Sequence, residues 1–395
     1  MPSTQPSERA VRAALSIHTT PAATGAHLPD FDAQEAWSHL IAADRTGRLR
    51  HYEPRPRLDA AQLTARFVIP GDPDWPSFLD ALGANQPFGL WVRGPVDLRP
   101  LLGRTVAVIG NRAASPQARA TAAALGAELA ALGYTVTASL AHGVESAAHR
   151  GAGSPGGSPS LAVIPRGLDA CYPFTRAAQL TSLIARGGAA VSLYAPGTAP
   201  SARTLEANAQ LTAALARAVV LVEGIAGSAS MHTIRAAADL RRHLLAVPPP
   251  FVPDPLHGAN AELLDSRTAR PCPDAASVHA VLQACDSYGP CTQTDAAGAL
   301  IQELGRAGIT AHRSGHASAS AQWVSVDTVR GELRISGNGP LCARTDYCPA
   351  DHAGWLAAPP DEDGSVDPVF ASDDADFAQD TAALIEALTQ YRVLV

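Results

Sequence analysis

Lysine is absent. All 30 basic side chains of this 395-residue chain are arginine, a bias that a GC-rich genome explains and that leaves every basic site able to make forked contacts to phosphate or carboxylate. Aromatic residues are scarce at 5%, and charged residues make up 17%. No apolar run approaches the roughly 18 residues needed to cross a bilayer. Residues 1–30 are rich in Ser, Thr, Pro and Ala and lack the apolar block of a signal peptide, so they are expected to form a disordered leader to a cytoplasmic protein. Six cysteines are too few for a disulfide framework in a chain this long. The gaps from Cys285 to Cys291 and from Cys342 to Cys348 are wider than usual zinc-ligand spacing, which favours reduced packing cysteines. The chain also has neither a P-loop nor a G-x-S-x-G elbow, the signatures of two large classes of enzyme.

What is present is alanine, 79 residues of it, within an apolar fraction of 46% that suits a globular protein. The length allows two to three domains. The net charge of −7 is unevenly spread. Residues 341–395 hold 11 acidic side chains against Arg344 and Arg392, whereas the first 340 residues carry 28 basic and 26 acidic groups. An acidic tail follows a nearly neutral body.

Apolar patterning divides the chain further. Residues 31–66 read as a small helical region that Pro54 and Pro56 interrupt. Six short apolar runs then alternate with helical stretches: 105–110 (TVAVIG), 134–138, 161–165, 189–193, 218–222 and 243–247. Strands covered on both faces read this way, and the alternation predicts an α/β domain over 67–285 built on a doubly wound, mostly parallel sheet. Such sheets take ligands at the carboxyl ends of their strands, where helix N-termini receive phosphate. Beyond PPPFVPDP (248–255), a helix near 294–307, strands near 322–328, 332–336 and 354–357, and a helix over 375–391 form a separate small α+β domain at 290–395.

Four constellations carry chemistry. Gly110-Asn111-Arg112 follows the first strand and precedes Ser115-Pro116, a helix start; turn, dipole and guanidinium together suit an anion, although Arg112 is equally an ordinary surface arginine. His142, Glu145 and His149 allow a metal site but more often serve packing and capping. Gly167 to Pro173 (GLDACYP), beside Arg166, places Tyr172 where it stacks a base or packs on the sheet. Gly227-Ser228-Ala229-Ser230 opens a helix as an anion site or a plain cap.

In their order these pieces resemble the DprA/Smf family of DNA-processing proteins over residues 67–270. PGDPDWP with LWVRG (70–94), VAVIGNR (106–112), LAHGVESAAH (140–149), GLDACYP, VVLVE with Ser228 and Thr233, RRHLLAVPP (241–249) and GAN (258–260) each follow a family segment. The resemblance implies a Rossmann-like domain that dimerises, binds single-stranded DNA in a basic pocket and hands it to a RecA-type recombinase, without catalysis or cofactor. It implies that Arg112 contacts phosphate, with Gly110, Asn111 and Ser228 lining the pocket. Thr233, Arg166, Tyr172 and Arg242 complete the expected DNA-binding set.

The departures are specific. The family's Arg-Asn-Arg falls on Asn208-Ala209-Gln210, its Ser-Glu on Ser192-Leu193, its Asp on Glu145 and the glycine of its Ser-Gly on Ala229. The acidic domain stands where a winged helix is common; it is expected to bind a protein partner or to shield the DNA pocket. The lost arginines keep a second reading open, a sensor of a small anionic nucleotide. A third, the nucleotide phosphoribohydrolases of similar fold, lacks its Pro-Gly-Gly-x-Gly-Thr-x-x-Glu signature here.

Overall fold

The structure is a computed structural model describing residues 6–26, 31–95, 97–154, 156–250, 254–287, 296–315, 322–328, 331–337, 352, 354–360, 367–374 and 376–391. The chain divides into two compact units, 1–277 and 278–395.

In the first unit, Arg66–Val68 (β1) and Leu90–Arg93 (β2) precede the six expected runs, which become β3 (Thr105–Ile109), β4 (Thr135–Ala138), β5 (Leu161–Val163), β6 (Ala189–Ser192), β7 (Ala218–Leu221) and β8 (His243–Ala246). Arg270–Pro271 adds a short β9. The sheet runs β1-β2-β6-β5-β4-β3-β7-β8-β9. It is parallel from β6 to β9, while β2 joins β6 and β1 joins β2 in antiparallel fashion. Every residue of β3 to β8 is buried, as helices on both faces require. The chain builds outward from β3 to β6 and then returns to place β7 on the other side of β3. A crevice opens where the strand order reverses.

Residues 8–18 correct the expectation of a disordered leader. Ser7 caps a helix, Glu8–His18, whose Ala10, Val11, Ala14 and Leu15 are buried. Arg9 fixes it with two hydrogen bonds to Asp72, at 2.6 and 2.7 Å. Alanine forms helices well but buries little area, so a period carried mostly by alanine is a weak hydrophobic signal. A second correction concerns Pro54 and Pro56. They lie in the first turn of the helix Pro54–Gln62, where a missing N–H costs nothing, and so begin a helix where the sequence suggested an interruption.

The second unit holds a five-stranded antiparallel sheet: Ala311–Gly315 (β10), Gln322–Thr328 (β11), Gly331–Gly337 (β12), Trp355–Ala358 (β13) and Phe370–Ala371 (β14), in that order. Helices Ala296–Arg306 and Phe377–Gln390 cover it, and Leu300, Val326, Ile335, Trp355 and Leu384 lie in its core. The expected elements are present. The polar edge strand β10 (AHRSG) had no alternation by which to be read.

Candidate functional site

A cavity of about 640 Å³ lies at the crevice beside the carboxyl ends of β3 and β7, a size typical of ligand sites. It gathers six of the eight expected residues: Gly110, Asn111, Arg112, Tyr172, Ser228 and Thr233.

The floor is a closed hydrogen-bond system. Asn111 Nδ2 donates to Glu223 Oε1 at 2.9 Å and to the Leu256 carbonyl at 3.3 Å, while its Oδ1 accepts from the Ile225 N–H at 3.2 Å. Glu223 is fully buried, and its two oxygens accept from the Ser115 N–H at 3.2 and 3.3 Å. Asn260 of the GAN segment accepts from the Gly224 N–H and donates to the carbonyls of Leu221, Val222 and Val247, tying β7 to β8. Gly110 is required by packing, since a Cβ there would lie 2.7 Å from both the Glu223 carbonyl and Val144 Cγ2. Gly143, at φ +81° against the carbonyls of Asn111 and Arg112, admits no side chain.

This floor changes the expected anion site. The start of the helix Pro116–Ala131 is already satisfied: Ser115 Oγ caps the Ala118 N–H, and the Glu223 carboxylate sits at the positive end of the dipole. Asn111 is likewise committed to holding the loop. What remains outward is Arg112, which is exposed and makes no hydrogen bond or ion pair among the described residues. Opposite it, the helix Ser230–Asp239 begins without a side-chain cap, and Ser228, whose buried Oγ has no partner, stands at its entry. The Met231 and His232 N–H groups there already donate to the Ser228 and Ala229 carbonyls, at 3.0 and 3.1 Å, which leaves the Ser228 hydroxyl as the open polar group at this end of the lining.

The cavity is nevertheless not the basic pocket that the resemblance implied. Arg112 faces Glu206 and Glu145 across the lining. Ser139 donates a hydrogen bond to Glu145, and burial raises the carboxyl's pKa against the lowering effects of that bond and of Arg112. The three residues weighed as a metal set take separate partners. His149 is buried between Ser160 Oγ and the Ala138 carbonyl, both at 3.1 Å. His142 Nδ1 accepts from Arg176 Nη2 at 2.9 Å, which leaves its Nε2–H facing Thr175 Oγ1 at 3.2 Å.

Two expected residues lie outside the cavity. Arg166 is buried 3.6 Å from Asp169 and 5.3 Å from the centre of the Phe174 ring; it braces the GLDACYP turn. Arg242 precedes β8 at the amino ends of the strands, where Nη2 donates to the Ala214 carbonyl at 3.0 Å. It lies away from the cavity and ties the start of β8 to that carbonyl. At the site of the missing Arg-Asn-Arg, Asn208 turns inward to the Val163 carbonyl at 3.1 Å and Ala209 lines the cavity. Ser192 Oγ donates to the Arg166 carbonyl at 2.7 Å, so this serine also serves the turn.

Sequence reasoning passed over Glu223 and His232. A carboxylate closing the otherwise apolar run VVLVE was the available signal for the first; His232, on the cavity lining, had none. Tyr172 is half-buried on the core, while Phe174, two residues on, is 69% exposed.

Comparison with known proteins gives the same frame. The profile of the family described as DNA recombination-mediator protein A matches residues 66–283. The DNA processing protein DprA of Mycobacterium tuberculosis is 35% identical over 195 residues, 47% of this chain and 50% of that protein. Protein Smf of Escherichia coli is 32% identical over 185 residues, 47% of this chain and 48% of its own length. The chain thus matches about half the length of these relatives. The DprA structure from Streptococcus pneumoniae shares the fold, with a TM-score of 0.53 at 22% identity, covering 69% of this chain and 93% of that one. Together with the ordered motifs, the match over more than half the residues shows that the chain belongs to the DprA/Smf family of DNA-processing proteins.

Proposed function

We propose that the cavity between β3 and β7 holds single-stranded DNA and that the chain is a non-catalytic accessory of DNA processing, uptake or recombination in the cytoplasm. The observation that carries the reading is Arg112: an exposed guanidinium with no hydrogen bond or salt bridge among the described residues, on the lining of a nucleotide-sized cavity that also holds the unpartnered Ser228 hydroxyl. Family membership supports it. Homodimerisation and hand-over to a RecA-type recombinase belong to the same reading through the family resemblance; light scattering and co-purification test them.

A second reading, a sensor for a small anionic nucleotide, draws on Glu145 and Glu206 in the lining and on the missing arginines, since few phosphates are neutralised here. Fluorescence anisotropy with an oligothymidylate, a duplex and free nucleotides separates the two. We expect the single strand to bind best, with a shallow salt dependence. Arg112→Ala weakens binding for all sequences and lowers the log–log salt slope by about 0.7, one phosphate contact. Wild-type affinity in a folded Arg112→Ala protein rules out DNA in this cavity, and preferential nucleotide binding selects the sensor.

A further inference from the structure

A second cavity of about 420 Å³ lies along the groove between the helices Val144–Ala152 and Ala177–Ala185. Among the described residues its charged lining consists of Arg150, Arg176 and Arg186, with no aspartate or glutamate. None of the three arginines is ion-paired among the described residues. His149, on the same lining, adds no charge near neutrality, because burial holds its pKa at about 4. The two cavities therefore differ in kind: the first sets one arginine against two carboxylates, the second three arginines against none.

Ordinary helix electrostatics explains part of this arrangement. Arg150 and Arg186 stand at helix C-termini, where cations are favoured. Arg176 stands at the N-cap of Ala177–Ala185, but it is also the last residue of the short 3-10 helix Phe174–Arg176, and its Nη2 donates to His142 Nδ1 at 2.9 Å. Its Nε is buried without an acceptor, and the neighbouring Gln179 Oε1 is buried without a donor.

The spacing identifies the kind of ligand. From position 176 to 186 the helix rises about 15 Å, a backbone spacing that suits a chain of phosphates. The groove and the first cavity approach each other at residues 141–142 and 172–176. Ala141 and Tyr172 line that cavity, while the adjoining His142 is held by Arg176 and Thr175 of the groove. Phe174, in the same segment, is 69% exposed, with the Arg166 guanidinium over its ring at 5.3 Å from the centre.

We propose that the Arg150–Arg176–Arg186 groove binds the backbone phosphates of single-stranded nucleic acid as the strand leaves the first cavity, with Phe174 stacking a base at the crossing. This rests on the single-strand reading of that cavity. The test uses the full chain, with an Arg150→Ser/Arg186→Ser double variant at two exposed positions and a separate Phe174→Ala variant. Each is titrated with a short oligothymidylate that fills only the first cavity, with one several times longer, and with polyglutamate. We expect the double variant to bind the short strand like wild type, to lose affinity for the long one, and to lower its salt slope by about 0.7 for each arginine removed. Phe174→Ala weakens long-strand binding with the slope unchanged. Wild-type affinity and slope for the long strand in both folded variants, with Arg112→Ala impaired, overturns the groove and leaves the first cavity's reading intact. If wild-type protein binds neither strand, the cavity reading fails and the groove falls with it. A double variant that loses polyglutamate but not oligothymidylate transfers the groove to an acidic protein segment and overturns the nucleic-acid assignment.

Discussion

His149 has its imidazole enclosed, with Nε2–H donating to the Ala138 carbonyl and Nδ1 facing the Ser160 hydroxyl. Burial lowers its pKa from 6.5 to about 4. Between these values the unfolded chain binds a proton that the folded one refuses, so the stabilisation is complete above pH 6.5 and is lost as pH falls through 4. The difference corresponds to about 3 kcal/mol. We expect the melting temperature to fall between pH 7 and pH 4 and His149→Gln to flatten that decline; an unchanged profile in the variant assigns the acid sensitivity to other groups. Glu145 acts in the opposite sense, because its raised pKa favours the folded state at low pH. The histidine variant separates the two. At this scale the sequence was informative about residue type and silent about partners: LAHGVESAAH was legible as a segment, but nothing in it distinguished a buried structural histidine from one that braces an arginine.

The helices Pro116–Ala131 and Val144–Ala152 meet backbone to backbone. A Cβ on Gly151 would run into the Ala123 carbonyl, and one on Gly126 into the Ala148 carbonyl. Alanine at an ordinary helical glycine gains about 1 kcal/mol of propensity. Here that gain competes with overpacking, which costs about 1–3 kcal/mol where side chains give way, and the obstacle is backbone that cannot turn aside. Gly151→Ala is therefore expected to lower stability in urea denaturation, by about 1 kcal/mol or more; a stabilised variant would show that the helices separate freely. The same helix carries Glu145 to one cavity and Arg150 to the other, so a shift in its packing reaches both. Element types were legible wherever apolar runs were continuous. The helix Glu8–His18 was not, because its burial depends on Trp37, Phe67 and Phe88, which come from other parts of the chain.

Charge distribution is a property of the whole molecule. Eight carboxylates and no basic residue lie within 361–380, part of which falls outside the described residues, and 341–395 carries a net charge of −9. Such a segment repels phosphate over a Debye length of roughly 10 Å at 0.1 M salt and farther at lower salt. Replacing Asp361, Glu362, Asp363, Asp367 and Asp374 by their amides, which keeps the core of the second unit, should tighten single-strand binding at low ionic strength and change little at high salt. Equal affinity of the neutralised and wild-type chains in dilute buffer removes the shielding role.

The sequence by itself determined the alternation of β3 to β8 with helices, since short, largely apolar runs are satisfied only inside a covered sheet, whereas β1, β2 and β9 were not read from it. It also determined the family, since segments that meet at strand ends recur in a set order along the chain. Tertiary structure decided which of those segments face a ligand. Glu223 occupies the helix start that phosphate was expected to fill, Arg166 and Arg242 turn to structural bonds, and Arg150, Arg176 and Arg186 line one groove from two separate helices. Burial, capping and convergence depend on what lies opposite a side chain in space. Residues that meet there stand tens of positions apart along the chain, so no local pattern records them.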